Sequence, residues 1–235
     1  MFFPFDPLQM IITAPALVFS LWAQWKVQST FKHYSTQGVR TGMTGAQAAA
    51  AVLRTGGVQG VAIERHQGFL SDHYDPKAKA LRLSPDVHDG RSVSSIAVAA
   101  HEAGHAIQDA VGYTPLVLRS NLVPLCNIGN QLWFLPFVIG LFLGSSPLGP
   151  MLMWAGILMF AAVVVFQLVT LPTEFNASNR AKAVLAGAGI VTTQEEAAGV
   201  KKVLDAAAMT YVAAAAAGVL QLVYLIFRAQ GRRDE

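Results

Sequence analysis

Charge is what this chain has least of. Only 13% of its 235 residues are Asp, Glu, Lys or Arg, against roughly 25% in soluble domains. The deficit, with a mean hydropathy of +0.43, predicts a chain solvated partly by lipid. The net charge is +3, from 17 basic and 14 acidic side chains, too slight to argue for a nucleic-acid partner. One cysteine, Cys126, excludes an intrachain disulfide and a thiolate zinc cluster. No internal repeat is present. The alanine run at 213–217 fits the packing face of a membrane helix. No basic residue precedes the first apolar run, where Asp6 stands as an unpaired charge. With no small-residue cleavage site before Trp25 and Lys26, an uncleaved anchor fits better than a removed signal peptide.

A helix needs about 20 mainly apolar residues to cross a bilayer. Four stretches qualify, at about 7–25, 122–144, 151–171 and 206–227. The second is the weakest: Asn127, Asn130 and Gln131 occupy its first half and Pro136 interrupts its apolar part. Its polar half must face other helices or water. Two polar regions lie between the spans, 26–120 and 172–205. In the first, Thr44 and Gln47 read as a capping box opening a helix that stops at Gly56-Gly57. A turn at Asp75-Pro76 leads into an alternating strand at 78–83, and Ser84-Pro85 starts a brief helical turn. A long helix is predicted from about Ser92 to Gln108 or beyond, with Gly112 as its stop. In the second region, Thr193 and Glu196 form another capping box, and that helix can run unbroken into the fourth span.

Residues 101–105 read His-Glu-Ala-Gly-His. Positions i and i+4 share a helix face, so His101 and His105 can bind one metal ion together, with Glu102 within reach of a metal-bound water. Zinc acidifies such a water, and a glutamate in this position is its general base and then the proton donor to the leaving amine. The competing explanation is a buried helix that happens to carry two histidines. Two imidazoles and a carboxylate buried without partners cost several kcal/mol, which a metal would relieve.

A catalytic zinc usually takes three protein ligands and a water. His33, His66, His73 and His88 all precede the motif, and no Gly-x-x-His continuation follows it. Downstream candidates are Glu174, Glu195 and Glu196. The last two sit in the first turn of a capped helix, where the helix dipole accounts for them. Glu174 follows Leu171-Pro172 at the end of the third span. The same dipole preference, or a pair with Arg180 or Lys182, could also explain it. Topology favours the ligand role: two crossings separate Glu174 from the histidines, so both lie on one side of the membrane. His73 and Tyr74 could donate to a developing oxyanion. The preferred reading of 72–76 is instead an aspartate- and proline-rich turn that fixes the following strand. Residues 79–84 could themselves pair with an extended substrate.

The chain resembles the YugP-type neutral zinc metallopeptidases of bacterial membranes. The likeness runs from Phe3-Pro4-Phe5-Asp6-Pro7 and Trp22-Ala23-Gln24 through Ser29-Thr30-Phe31, Tyr34-Ser35, Gly42 and Thr44-Gly45. It continues through Asp72-His73-Tyr74-Asp75-Pro76 and Leu81-Arg82-Leu83-Ser84. The motif with its extension, His101 to Gln108, and Leu171-Pro172-Thr173-Glu174-Phe175 complete it. The resemblance implies a peptidase in which His101, His105 and Glu174 hold Zn2+ and Glu102 is catalytic. Asn176 departs from it, standing where an aspartate is expected. Asn176, Ser178 and Arg180 are candidates for bracing the site or, with His73 and Tyr74, for oxyanion stabilisation.

The expectation is a mainly α integral-membrane fold, a single domain over 1–235. It has four spans, a helical gluzincin-like catalytic region drawn from 26–120 and 172–205, and a short β element. The expected reaction is hydrolysis of protein or peptide substrates at the surface of a bacterial inner membrane. A membrane amidase acting on a non-peptide substrate is the rival that keeps the zinc. A non-catalytic scaffold is the rival that does not need Glu102. Fourteen of the 17 Lys and Arg fall within 26–120 and 172–205, which places the catalytic side in the cytoplasm by the positive-inside rule. Arg228, Arg232 and Arg233 in the tail oppose that assignment.

Overall fold

The computed structural model describes residues 6–68, 71–144 and 146–231. Phe3-Pro4-Phe5 of the family resemblance, and Arg232 and Arg233 of the tail, lie outside the described residues. The elements in chain order are α1 (Pro7–Ser35), α2 (Gly45–Thr55), β1 (Ala62–Arg65), β2 (His73–Asp75), β3 (Ala80–Leu83) and α3 (Pro85–His88). There follow α4 (Val93–Ala110), α5 (Thr114–Leu132), α6 (Phe134–Phe142), α7 (Leu148–Gly187) and α8 (Gln194–Gln230). The fold is mainly helical, with one small three-stranded sheet.

Among the described residues, four helical stretches are long and apolar enough to cross a membrane: Pro7–Ser35, Thr114–Phe142, Leu148–Gly187 and Gln194–Gln230. At most 33% of any of their apolar windows is buried within the chain. Most of that apolar surface therefore faces outward, as lipid solvation requires. The helices outrun the predicted spans. Neither Gly nor Pro occurs between Lys26 and Ser35, so α1 continues past residue 25. The second stretch starts at Thr114 rather than 122 and breaks at Trp133. Pro136 lacks the N–H that would bond the Leu132 carbonyl, and its ring crowds that carbonyl. The third helix passes through Pro172 and ends only at Gly187, so much of the polar region expected at 172–205 is helical.

Two compact units partition the chain: Met1–Trp22, Leu118–Leu171 and Tyr211–Glu235 in the first, Ala23–Val117 and Pro172–Thr210 in the second. In the first, Phe137, Met153, Ile157, Phe160, Val164, Tyr224 and Leu225 form the core. Gly156 lets α7 approach α6, since a Cβ there would lie 2.6 Å from the Trp133 carbonyl oxygen. Asp6 is not unpaired: its carboxylate accepts the Tyr224 hydroxyl at 2.9 Å and lies 3.9 Å from Arg228. That contact brings the start of α1 to the end of α8.

In the second unit, α4 packs against α2 and the sheet over a core including Val52, Leu81, Leu83, Ile96 and Leu185. The capping box of α2 forms, with Thr44 Oγ1 accepting from the Gln47 N–H at 3.2 Å and Gln47 Oε1 from the Thr44 N–H at 2.9 Å. The sheet order is β1-β3-β2, parallel between β1 and β3 and antiparallel between β3 and β2. One strand was expected at 78–83; it begins at Ala80, because residues 76–79 form the turn and Lys79 takes a left-handed φ of 50°. β3 is the central strand, with a neighbour on each side. It cannot pair with an added substrate strand, contrary to expectation; the sheet edges are β1 and β2.

Candidate metal centre

Ser92 caps α4, its hydroxyl accepting from the Ser95 N–H at 3.1 Å. Gly112, in the left-handed region at φ 61°, lies just past its end. Ala97, Ala99, Ala100, Ala103 and Ala106 keep the helix thin enough to be buried along most of its length. Gly104 matters most. A Cβ there would lie 2.8 Å from the carbonyl oxygen of Ala177 and 3.3 Å from its Cα. Helices α4 and α7 therefore cross in backbone contact inside the His-Glu-Ala-Gly-His segment. Glu174, three residues before Ala177, is delivered beside the two histidines.

His101 Nε2 is 3.1 Å and His105 Nε2 is 3.5 Å from Glu174 Oε2. The potential ligand atoms of all three residues lie within 4.8 Å of one another. The imidazole rings are edge-to-face with centroids 4.7 Å apart. Tetrahedral bonds of about 2.0–2.1 Å place ligand atoms about 3.3 Å apart. The two observed distances straddle that value, and two imidazoles with one carboxylate are a donor set zinc accepts. The residues present thus fit a zinc ion.

The far nitrogen of each ring is also engaged. His101 Nδ1 is 3.1 Å from Ser178 Oγ, and His105 Nδ1 is 2.9 Å from Gln108 Oε1. Gln108, fully buried, donates from Nε2 to the Thr173 carbonyl at 2.8 Å and to Asn176 Oδ1 at 3.0 Å. Arg180 Nε donates to the same Asn176 oxygen at 2.8 Å.

Electrostatics follow from packing these groups together beyond the apolar stretch of α7. Burial pushes Glu102 above the ordinary carboxylate range, only partly opposed by the two histidines; the charges of Glu174 and Asp72 add to the rise. Burial would also raise Glu174, but hydrogen bonds from His101 and His105 outweigh it and hold that carboxyl well below its usual value. Burial acts to lower His105, and Glu174 and Glu102 more than reverse it. Positive charge between the imidazoles and Glu174 satisfies this cluster, and a divalent cation is one source of it.

The structure thus gathers His101, His105, Glu174 and Ser178 into direct contact, places Glu102 in the same buried cluster, and links Asn176 and Arg180 to them through Gln108. It gives His73 and Tyr74 other partners. His73 Nδ1 bonds the Ser71 carbonyl at 2.8 Å, and the Tyr74 hydroxyl donates to Asp109 at 2.6 Å, which with burial pushes that hydroxyl upward. Both lie on β2 rather than in a turn. Asp72, just before it, accepts the Ser84 N–H at 2.7 Å. Glu196 accepts the backbone N–H groups of Arg40, Thr192 and Thr193 at 2.7, 2.7 and 3.1 Å, and so caps α8 and ties it to the α1–α2 loop. Sequence reasoning gave no role to Gly104 or Gln108. The available signals were a glycine inside an alanine-rich helix and a glutamine one turn beyond His105.

Comparison with known proteins agrees with this geometry. Residues 9–230 match a family described as "Putative neutral zinc metallopeptidase", and the chain belongs to that family. It is 44% identical over 228 residues to a Bacillus subtilis (strain 168) protein named "Putative membrane protease YugP", covering 97% of this chain and 99% of that one. No solved structure matches.

Proposed function

We propose that the protein is a multi-pass cell-membrane endopeptidase that hydrolyses peptide bonds at a zinc site, working as one domain over 1–235. The supporting observation is the convergence of His101, His105 and Glu174, whose ligand atoms lie within 4.8 Å of one another, with Glu102 next to the first ligand. His101, His105 and Glu174 would hold the ion. Zinc there supplies a Lewis acid that acidifies a water and polarises the scissile carbonyl. Glu102 takes the proton of the attacking water and passes it to the leaving amine. Its burial, by raising its proton affinity, suits it to both steps. Ser178 and Gln108 orient the imidazoles. The concentration of basic residues in 26–120 and 172–205 supports a cytoplasmic orientation for this chemistry, with protein or peptide substrates reaching it there.

The test is hydrolysis of internally quenched peptides against small amides by the purified protein, with and without a chelator. Peptide cleavage that a chelator stops and zinc restores is expected. Turnover of small amides alone would replace the peptidase reading with a membrane amidase.

A further inference from the structure

Gln108 lies next to the proposed centre without being able to act as one of its ligands, and its hydrogen bonds have a direction that can be traced. A guanidinium can only donate. The Asn176 atom that meets Arg180 Nε at 2.8 Å must therefore be its carbonyl oxygen. That same oxygen faces Gln108 at 3.0 Å, so the Gln108 atom there must be its amino group. The amino group's second hydrogen points to the Thr173 carbonyl at 2.8 Å, another obligate acceptor. The remaining Gln108 atom is then the carbonyl oxygen, and it lies 2.9 Å from His105 Nδ1. An oxygen in that position requires Nδ1 to carry hydrogen, so in the neutral imidazole the nitrogen left free to bind a metal is Nε2, the one 3.5 Å from Glu174 Oε2.

We infer that Arg180, Asn176 and Gln108 form a one-way hydrogen-bond relay that dictates which nitrogen of His105 faces the metal, making Gln108 and Asn176 positioning residues for the ligand. The inference rests on the zinc reading above. It assigns Gln108 a role set by its acceptor oxygen and not by its volume. The relay is specific to one histidine: Ser178 Oγ, 3.1 Å from His101 Nδ1, can donate or accept, so it imposes no such choice. It also accounts for Asn176, since an asparagine and an aspartate present the same acceptor to Arg180 and Gln108.

The experiment uses the full chain in detergent. Zinc affinity is measured by chelator competition, the ligand field by the visible spectrum of the cobalt(II)-substituted protein, and folding by thermal melts of the metal-free protein. Gln108→Leu should lose about 10–100-fold in zinc affinity, the usual effect of removing a partner of a ligating histidine, with a changed cobalt spectrum. Asn176→Leu, at a half-buried position that tolerates the change better, should shift both readouts in the same direction. Asn176→Asp should stay close to wild type. A folded Gln108→Leu with wild-type affinity and spectrum overturns the relay. So does an Asn176→Asp that falls as far as Asn176→Leu, which also decides the matter should Gln108→Leu fail to fold. A wild type that takes up neither metal removes the zinc reading and the relay together, whereas relay failure alone leaves wild-type binding intact.

Discussion

Gly104→Ala is the substitution in which local and tertiary effects oppose each other most clearly. In an isolated helix the change would stabilise by roughly 1 kcal/mol. Here the new methyl would sit 2.8 Å from the Ala177 carbonyl oxygen, where a carbon–oxygen contact needs about 3.3–3.6 Å. The obstacle is backbone, with no rotamer to move, so α4 and α7 must separate by roughly 0.5–0.8 Å. Overpacking of this kind costs about 1–3 kcal/mol, which cancels the propensity gain at its low end and leaves a net loss of about 2 kcal/mol at its high end. The separation is applied one turn from Glu174, whose carboxylate lies 3.1 and 3.5 Å from the two histidines. Misplacement approaching 1 Å costs about 100-fold in well-organised sites, so a loss of roughly tenfold or more in peptidase activity is expected. Gly187→Ala is the control, because a Cβ there meets nothing within 4 Å. Thermal melts and zinc titrations of both variants would separate the effects. A Gly104→Ala protein that is stabilised like the control, with unchanged zinc affinity, would refute the close-crossing account.

The carboxylates should sort by role: Glu174→Ala should weaken zinc binding markedly, while Glu196→Ala should leave it intact and lower the melting temperature by removing the acceptor of three backbone N–H groups. Glu196 also sets a pH dependence. Those N–H groups outweigh burial and depress its carboxyl below the ordinary 4.5. Its stabilisation is therefore complete above that value and fades as the pH falls through the depressed one. Acid melts of Glu196→Gln should then be less pH-sensitive than wild type in that window; equal sensitivity would contradict the assignment. For orientation, single cysteines replacing Gln67 and Gln230 in a Cys126→Ser background should label from opposite sides of intact membranes. Labelling of the Gln67 position by an impermeant reagent in whole cells would overturn the cytoplasmic placement.

What could be read without a structure was what local chemistry determines. The caps at Thr44 and Thr193 follow from side chains reaching N–H groups three residues away, and the four apolar stretches follow from length and composition. Span ends were less legible, because a helix leaving the bilayer changes its solvent before it changes its backbone: α1 and α7 continue through residues that hydropathy assigned to polar regions. Strand β1 is short and largely exposed, and β2 has three residues that read equally well as a turn. β1 exists through pairing with β3 across the intervening β2, and β2 through the hairpin that the 76–79 turn closes onto β3, so neither is recognisable from its own few residues. The same holds at the metal centre. The i, i+4 spacing puts His101 and His105 on one face, and counting crossings allows Glu174 to join them. Their meeting depends on Gly104 against Ala177 and on Gln108 bridging to Thr173 and Asn176, long-range contacts with no local pattern.

On the proposed mechanism Glu102 acts on the reacting water and is not needed to hold the metal. The most direct measurement is zinc content and peptide hydrolysis of wild type and Glu102→Gln, purified side by side. Near-stoichiometric zinc in both and loss of most hydrolysis in the variant are expected. Wild-type hydrolysis by Glu102→Gln, or loss of its zinc, would contradict it.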